Sequence, residues 1–416
     1  MDGRLHPSKA IVGSVNNYLA GKCIILAVTG SVAAYKSLDL ARWLMRRGAR
    51  VVFAASSAAL ELVGEKLLHW ASGEPPITRL TGETEHILYV RGCDGLIVAP
   101  ATLNTLVKAS QGIADSLVPL LAVSMLGMGK PVVFVPAMHG NMASTPQYRR
   151  AISELQSYGA LIVPPLIVEG IAKYPPVEVT GRVSAAFIAR GRDLAGMKAV
   201  VTAGATREWI DPVRFISNPS SGRMGFEIAA ELWARGASVT LIHGHVSGIV
   251  PHMVNRVHIG TTEEMRSAVE NAIGDGIDIF VSTAAPADFA PAEKRSVKIK
   301  SGERLTLELE PTPKVVEAAV GKARRIILFA AETVQARDEL LSRALEKMGK
   351  YGADITVANN VSGRDAGFGA DKLDAIIIWS MGGGIFAEDV GKINKELLAR
   401  RIIDTLLLIE RGGEHG

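Results

Sequence analysis

One pattern occurs twice in this chain and constrains its fold more than any other feature. In the first half, "CIILAVTG" from Cys23 is a short apolar run ending in a glycine turn, "SVAAYKSLDLARWLMRRG" has helical periodicity, and "ARVVFAAS" is strand-like. In the second half "KAVVTAG" ends on glycine, a polar loop and an amphipathic stretch follow, and "ASVTLIHG" is again strand-like. Short apolar strands alternating with helices make parallel α/β sheets, so the chain is read as α/β in both halves. The shared "RGA" of "RRGARVVF" and "ARGASVTL" reflects a common building habit and not duplication, because βαβ units converge on it.

A length of 416 residues exceeds one ordinary core and points to two domains. Residues 164–197 are rich in Pro and Gly and then helical, which places the boundary near Leu194 and the domains at 20–190 and 195–416. The net charge of +4 is spread without basic blocks, which disfavours nucleic acid and suits small anionic substrates. No segment approaches 18 uninterrupted apolar residues, so no membrane span or export signal is expected, and the setting is read as cytoplasmic. Cys23 and Cys93 suggest neither a disulfide framework nor a cysteine metal site, and metal ligands are unassigned.

The chemistry is carried by loops. "DPVRFISNPSSGRMG", residues 211–225, is a polar, glycine-containing loop that opens into the amphipathic "MGFEIAAELWARG", so its backbone N–H groups can meet an anion at a helix N-terminus. It lacks both the Walker ending and the G-x-G-x-x-G spacing. In the first half the strand ends gather Thr29, Gly30, Ser31, Ser56, Thr102, Asn104, Met138 and His139 along one sheet edge, small polar groups suited to a phosphate and a flat ring. Taken singly they are ordinary turn formers.

Taken in order, "VTGSVAAYK", "VAPATLNTLVK", "GIADSL" and "VPAMHGNM" resemble the flavin-dependent cysteine decarboxylases, and the 211–225 loop closely resembles the ligase half of the bifunctional phosphopantothenoylcysteine decarboxylase/phosphopantothenate–cysteine ligases of coenzyme A synthesis. The resemblance spans nearly the whole chain. It implies two Rossmann-like domains: an N-terminal flavodoxin-like domain binding FMN and a C-terminal ligase domain binding CTP. Gly30, Ser31, Ser56, Thr102, Asn104 and Thr105 would hold FMN near a subunit boundary, and His86 would be the catalytic histidine, assisting proton movements at the reacting thiol. In a homo-oligomer built from flavin-domain trimers and ligase-domain dimers, the partners would otherwise be small molecules: 4′-phosphopantothenate, cysteine and CTP.

Two positions depart from the bacterial members of that family. An asparagine there follows "PAM", where this chain has His139 and an asparagine only at Asn141, the two candidates for the substrate carboxylate. The bacterial flap cysteine, a proton donor, is absent from "PPLIVEGIAKYPPVEVTGR". Three readings stay open: Lys173, Tyr174, Glu169 or water supplies the proton; the flavin domain is a binding or assembly module on a working ligase; or the absence marks a lineage variant, archaeal in type. A generic nucleotide-dependent oxidoreductase is disfavoured by the missing dinucleotide fingerprint.

For the ligase the resemblance implies that Asn218 holds the activated acyl group and Lys298 meets charge near the reacting phosphate. Asp288, Lys300 and the cradle of Ser220, Ser221 and Gly222 would bind CTP. Ser282, Thr283 and Ala284, with Pro313, Lys314, Val315, Val316 and Phe329, would frame its base and ribose. Lys298 and Lys300 share a face if extended, and Lys347 and Lys350 share a helical face toward the triphosphate, with Mg²⁺ as the expected divalent ion. "GFGADKLDAIIIW" and "GKINKELLARRIIDTLLLI" are read as a last glycine loop, a strand and an amphipathic helix.

Overall fold

The computed structural model describes residues 6–302, 304–361 and 372–413 and divides into two units, Met1–Asp193 and Leu194–Gly416. In the first, β1 (Cys23–Val28), β2 (Arg50–Ala55), β3 (Gly95–Ala101), β4 (Val132–Pro136) and β5 (Leu161–Ile162) pair in parallel in the order β2-β1-β3-β4-β5. That is the flavodoxin-like order, with its topological switch between β1 and β3. Every residue of β1, β3 and β4 is buried, as a sheet covered on both faces requires.

The cover comes from α1 (Lys36–Met45), α2 (Ser57–Leu62), α3 (Glu65–Ser72), α4 (Glu85–Gly92), α5 (Leu103–Ser110), α6 (Leu117–Gly127), α7 (Gly140–Ala143), α8 (Pro146–Ser157) and α9 (Val177–Arg190). Where α9 crosses α1 only glycine fits at 181, since a Cβ there would lie 2.4 Å from the Trp43 ring. The stretch lacking the flap cysteine forms a hairpin, β6 (Leu166–Val168) and β7 (Ile171–Lys173), whose two turn residues Glu169 and Gly170 both have positive φ.

The cysteines differ from expectation. Cys23 and Cys93 are joined by a disulfide, because β1 starts where the chain leaves α4 for β3 and the two Cα atoms come within 4.5 Å. Sequence spacing carries no trace of that proximity.

In the second unit β8 (Lys198–Ala203), β9 (Glu208–Trp209), β10 (Phe215–Ile216), β11 (Ser238–His243), β12 (Asn255–His258), β13 (Ile277–Ser282), β14 (Phe289–Pro291), β15 (Leu309–Pro311), β16 (Ala323–Glu332), β17 (Ile355–Asn360), β18 (Lys372–Met381) and β19 (Gly384–Asn394) accompany α10 (Arg223–Ala234), α11 (Thr262–Ile273), α12 (Arg337–Tyr351) and α13 (Lys395–Gly413). The main sheet runs β12-β11-β8-β13-β16-β17-β18-β19, a Rossmann-like order of six parallel strands with an antiparallel hairpin added at one edge. Alternate residues feed its two cores: Val201, Val281 and Ile327 one face, Val200, Phe280 and Ile326 the other.

Sequence reading missed β19, in which all residues but one are exposed or half-buried, as suits an edge strand. Lys298 and Lys300 were expected to share a face if extended; the described residues between 292 and 308 form an irregular arm whose base is the β14–β15 pair. Among the described residues no strand pairs with 298–300, so alternation alone made no ladder. The glycine loop read at 367–371 lies outside the described residues.

Helix α4, which carries His86, ends on an unusual cap. The Lys130 ammonium donates to the carbonyls of Val90, Arg91 and Cys93 at 2.7, 2.9 and 2.7 Å, a cation on the negative end of the helix dipole. Lys130→Met keeps the length of the side chain and removes all three bonds. It is expected to cost about 1–2 kcal/mol of first-unit stability, measured by urea denaturation, with the loss reduced at high salt.

Candidate functional site

Each unit has a cleft at the carboxyl ends of its strands. In the first, a cleft of 1250 Å³ opens at the β1/β3 switch, and all six residues expected at the flavin line it: Gly30, Ser31, Ser56, Thr102, Asn104 and Thr105. Local bonds shape their loops. Ser31, Ser56 and Thr102 each cap the following helix through the side chain, accepting from the N–H of Ala33, Ala59 and Thr105. Thr29 ties two strand ends together, donating to Pro100 O at 2.7 Å and accepting from Thr102 N–H at 3.1 Å. At Gly30 a Cβ would sit 2.6 Å from that of Ala58, so only glycine lets these loops meet. Thr78, Arg79, Lys108 and Gln147 also line the cleft and were not anticipated: Thr78, Arg79 and Gln147 lie outside the quoted motifs, and Lys108 closes "VAPATLNTLVK" without having been assigned a role.

Other expectations fall elsewhere. His86 lies on α4, does not line this cleft, and its Nδ1 is buried without a hydrogen-bond partner. His139 and Asn141 are exposed around the start of α7 while Met138 and Met142 line the cleft. The flap is fastened beside them: Met138 N–H donates to Ala172 O at 3.1 Å, and Gly140 packs so tightly on Gly170 that a Cβ would overlap its carbonyl oxygen. Of the suggested proton donors, Tyr174 is buried, and that burial pushes its phenol well above the usual range. Lys173 and Glu169 pair across the exposed flap at 3.3 Å.

In the second unit a cleft of 520 Å³ is lined by Lys314, Leu328, Phe329, Glu332, Arg343, Glu346, Lys347, Lys350 and Tyr351. Lys347 and Lys350 thus share the expected face of α12. Arg343, one turn earlier on that face, was missed although its i, i+4 spacing from Lys347 was legible. Glu332 at the end of β16 faces both, 2.5 Å from Lys347 and 3.3 Å from Arg343. Asp288 pairs with Lys314 at 2.6 Å. Pro313 does not line the cleft, and the side chains of Val315 and Val316 are buried in the core.

The 211–225 loop is a hairpin followed by a helix start. β9 and β10 pair around the turn at 210–214, with Trp209 and Phe215 edge to face at 5.2 Å. Asn218 then donates its amide to the carbonyls of Ala285 at 3.3 Å and Pro286 at 2.8 Å, joining the hairpin to the turn after β13. Ser220 and Ser221 accept from the N–H groups of Gly222 and Arg223, and Gly222 enters α10 with φ of 74°. Thr283 donates to Thr202 O, Ser282 ends β13, and Ala284 N–H reaches Thr202 Oγ1. Lys298 and Lys300 are exposed, and Ile299 between them is bound to Asp211 and Arg214.

Asp211 is the most perturbed carboxyl of this region. Burial alone would raise it, but the N–H groups of Val213, Ile299 and Arg214 and the Arg214 guanidinium together hold it at about 2. A folded pKa below the unfolded one contributes stability that is complete above the unfolded value, about 4, and lost as pH falls toward about 2. The stability gap between the wild type and Asp211→Asn is therefore expected to be constant near neutrality and to shrink below about pH 4, measured by denaturation at graded pH.

Among the described residues, no group of three or more His, Cys, Asp or Glu is placed to hold a metal ion, and no helix is long and apolar enough to cross a membrane. Residues 13–186 match the family model described as Flavoprotein, and residues 194–409 match the DNA/pantothenate metabolism flavoprotein C-terminal domain. The Coenzyme A biosynthesis bifunctional protein CoaBC of Thermococcus kodakarensis is 37% identical over 97% of this chain and 99% of its own length. Its namesake from Escherichia coli K12 is 34% identical over 94% of this chain and 97% of its own. A crystal structure of the C-terminal domain of a CoaBC covers 53% of this chain and 98% of its own, at 28% identity and a TM-score of 0.43. With relatives this similar along nearly its full length, the chain belongs to the family of coenzyme A biosynthesis bifunctional proteins CoaBC.

Proposed function

We propose that this chain ligates 4′-phosphopantothenate to cysteine with CTP and then decarboxylates the product to 4′-phosphopantetheine, the ligase in 195–416 and the decarboxylase in 20–190. The observation that carries this reading is that relatives named bifunctional span both units.

A carboxylate is a poor electrophile, so its oxygen attacks the α-phosphate of CTP, pyrophosphate leaves, and an acyl-cytidylate forms. The cysteine amine then attacks the acyl carbon, CMP leaves, and the ammonium proton is lost. Arg343, Lys347 and Lys350, with Lys314, supply cations for the triphosphate, and Glu332 keeps two of them in place. Lys298 meets charge at the α-phosphate and Asn218 orients the acyl group. With no three-ligand protein cage among the described residues, Mg²⁺ would arrive on the nucleotide phosphates.

The first cleft suits FMN: its hydroxyl-capped helix starts would offer N–H groups and hydroxyls to a phosphate, and Gly30 leaves room for close-packed loops. Bound there, FMN supplies the two-electron chemistry that lets carbon dioxide leave. His86 does not line the cleft of its own chain; in the proposed flavin-domain trimer it would serve a neighbouring copy's site.

The test supplies 4′-phosphopantothenate, cysteine, CTP and Mg²⁺ and follows both products by mass spectrometry. Lys298→Ala is expected to lower CMP release about a hundredfold and to leave decarboxylation of supplied phosphopantothenoylcysteine unchanged. Ligated product with no carbon dioxide, from protein carrying flavin, would favour the binding-module reading of the first domain instead.

A further inference from the structure

The two oxygens of Asp211 have different work. The carboxylate is fully buried at the start of the β9–β10 turn. Among the described residues its Oδ1 accepts local bonds alone, from Val213 N–H and Arg214 N–H, both at 2.8 Å. These close the turn, as do the N–H groups of Ile210 and Asp211, which both donate to Arg214 O. Its Oδ2 accepts from the Arg214 guanidinium at 2.7 Å and, across 88 residues of chain, from Ile299 N–H at 3.1 Å. The same guanidinium nitrogen donates to Ile299 O at 3.0 Å.

Both backbone polar groups of Ile299 are therefore held by one ion pair, and Ile299 stands between Lys298 and Lys300. Arg295 N–H adds a bond to Ile210 O at 3.0 Å. These bonds tie the irregular arm to the hairpin that leads to Asn218. A flexible lysine on an unanchored arm would have to be ordered in each turnover, at an entropic cost that prior anchoring removes.

We infer that Asp211, with Arg214, is a positioning residue for ligation: it fixes the segment 298–300 so that the lysines on either side of Ile299 are presented from the Asn218 hairpin. This rests on the ligase reading above. Asp211→Asn isolates the function, because an amide can keep the acceptor at Oδ1 for the turn but puts an NH₂ donor where Ile299 N–H and the guanidinium need an acceptor.

The experiment compares the full-length wild type and Asp211→Asn by hydrogen exchange and by CMP release. Exchange across 295–301 is expected to rise about tenfold or more while β8, β11 and β13 keep their protection. The kcat for CMP release is expected to fall about tenfold or more, with KM for CTP changed by less than about threefold. Unchanged exchange at 295–301, or a loosened arm with wild-type turnover, would overturn the inference. So would loss of protection throughout the second unit, which would make Asp211 a fold element. Lys298→Ala separates the two claims. Normal turnover in that variant would remove the lysine from the proposed reaction and the positioning role with it. A dead Lys298→Ala beside a wild-type Asp211→Asn would refute the positioning role alone.

Discussion

Burying parallel strands on both faces is the constraint from which the rest of this molecule follows. Strands such as β1, β3 and β4, with every side chain inside, can carry no chemistry along their length. Polar groups that need solvent or a ligand are left to the loops at the strand ends, and βαβ winding brings those loops to one edge. Both clefts lie there, one lined from the ends of β1 to β4 and the other from the end of β16 and the face of α12.

Holding such loops without regular structure takes ionic and amide contacts, and the second unit uses them repeatedly. The Asp211–Arg214 pair holds the arm, Asn218 holds the turn after β13, and Glu332 holds the cations of α12. A buried carboxylate is costly unless every lone pair is satisfied. Asp211 meets that condition with three donors from its own turn and one, Ile299 N–H, from far along the chain. The first unit relies more on hydroxyl caps and on the absence of side chains, as at Gly30, Gly140 and Gly181.

Much of this was readable because it is local. The alternation of short apolar runs with helical segments is enough to place β1 to β4 and α10, and the small residues of "VTGS" and "VAPATLNT" mark the edge where the first cleft opens. The face shared by Lys347 and Lys350 follows from helical period alone. What could not be read depends on contacts between residues far apart in the chain. The alternating lysines gave a plausible strand, but a strand needs a neighbour to bond, and the arm's neighbour is a single turn 88 residues earlier. That packing would bury Tyr174, and that the valines at 315 and 316 would join the core, was not legible for the same reason.

By itself, then, the amino-acid sequence determined the α/β class, the two-domain arrangement and the strand-end polar sets, since periodicity and turn chemistry act over a few residues. Only the tertiary structure decided that Cys93 would meet Cys23, that His86 would miss its own cleft, and that the two oxygens of Asp211 would divide their bonds between a turn and a distant arm. Those outcomes depend on sheet order and on which buried polar groups find partners in space, and neither is encoded in any short window of the chain.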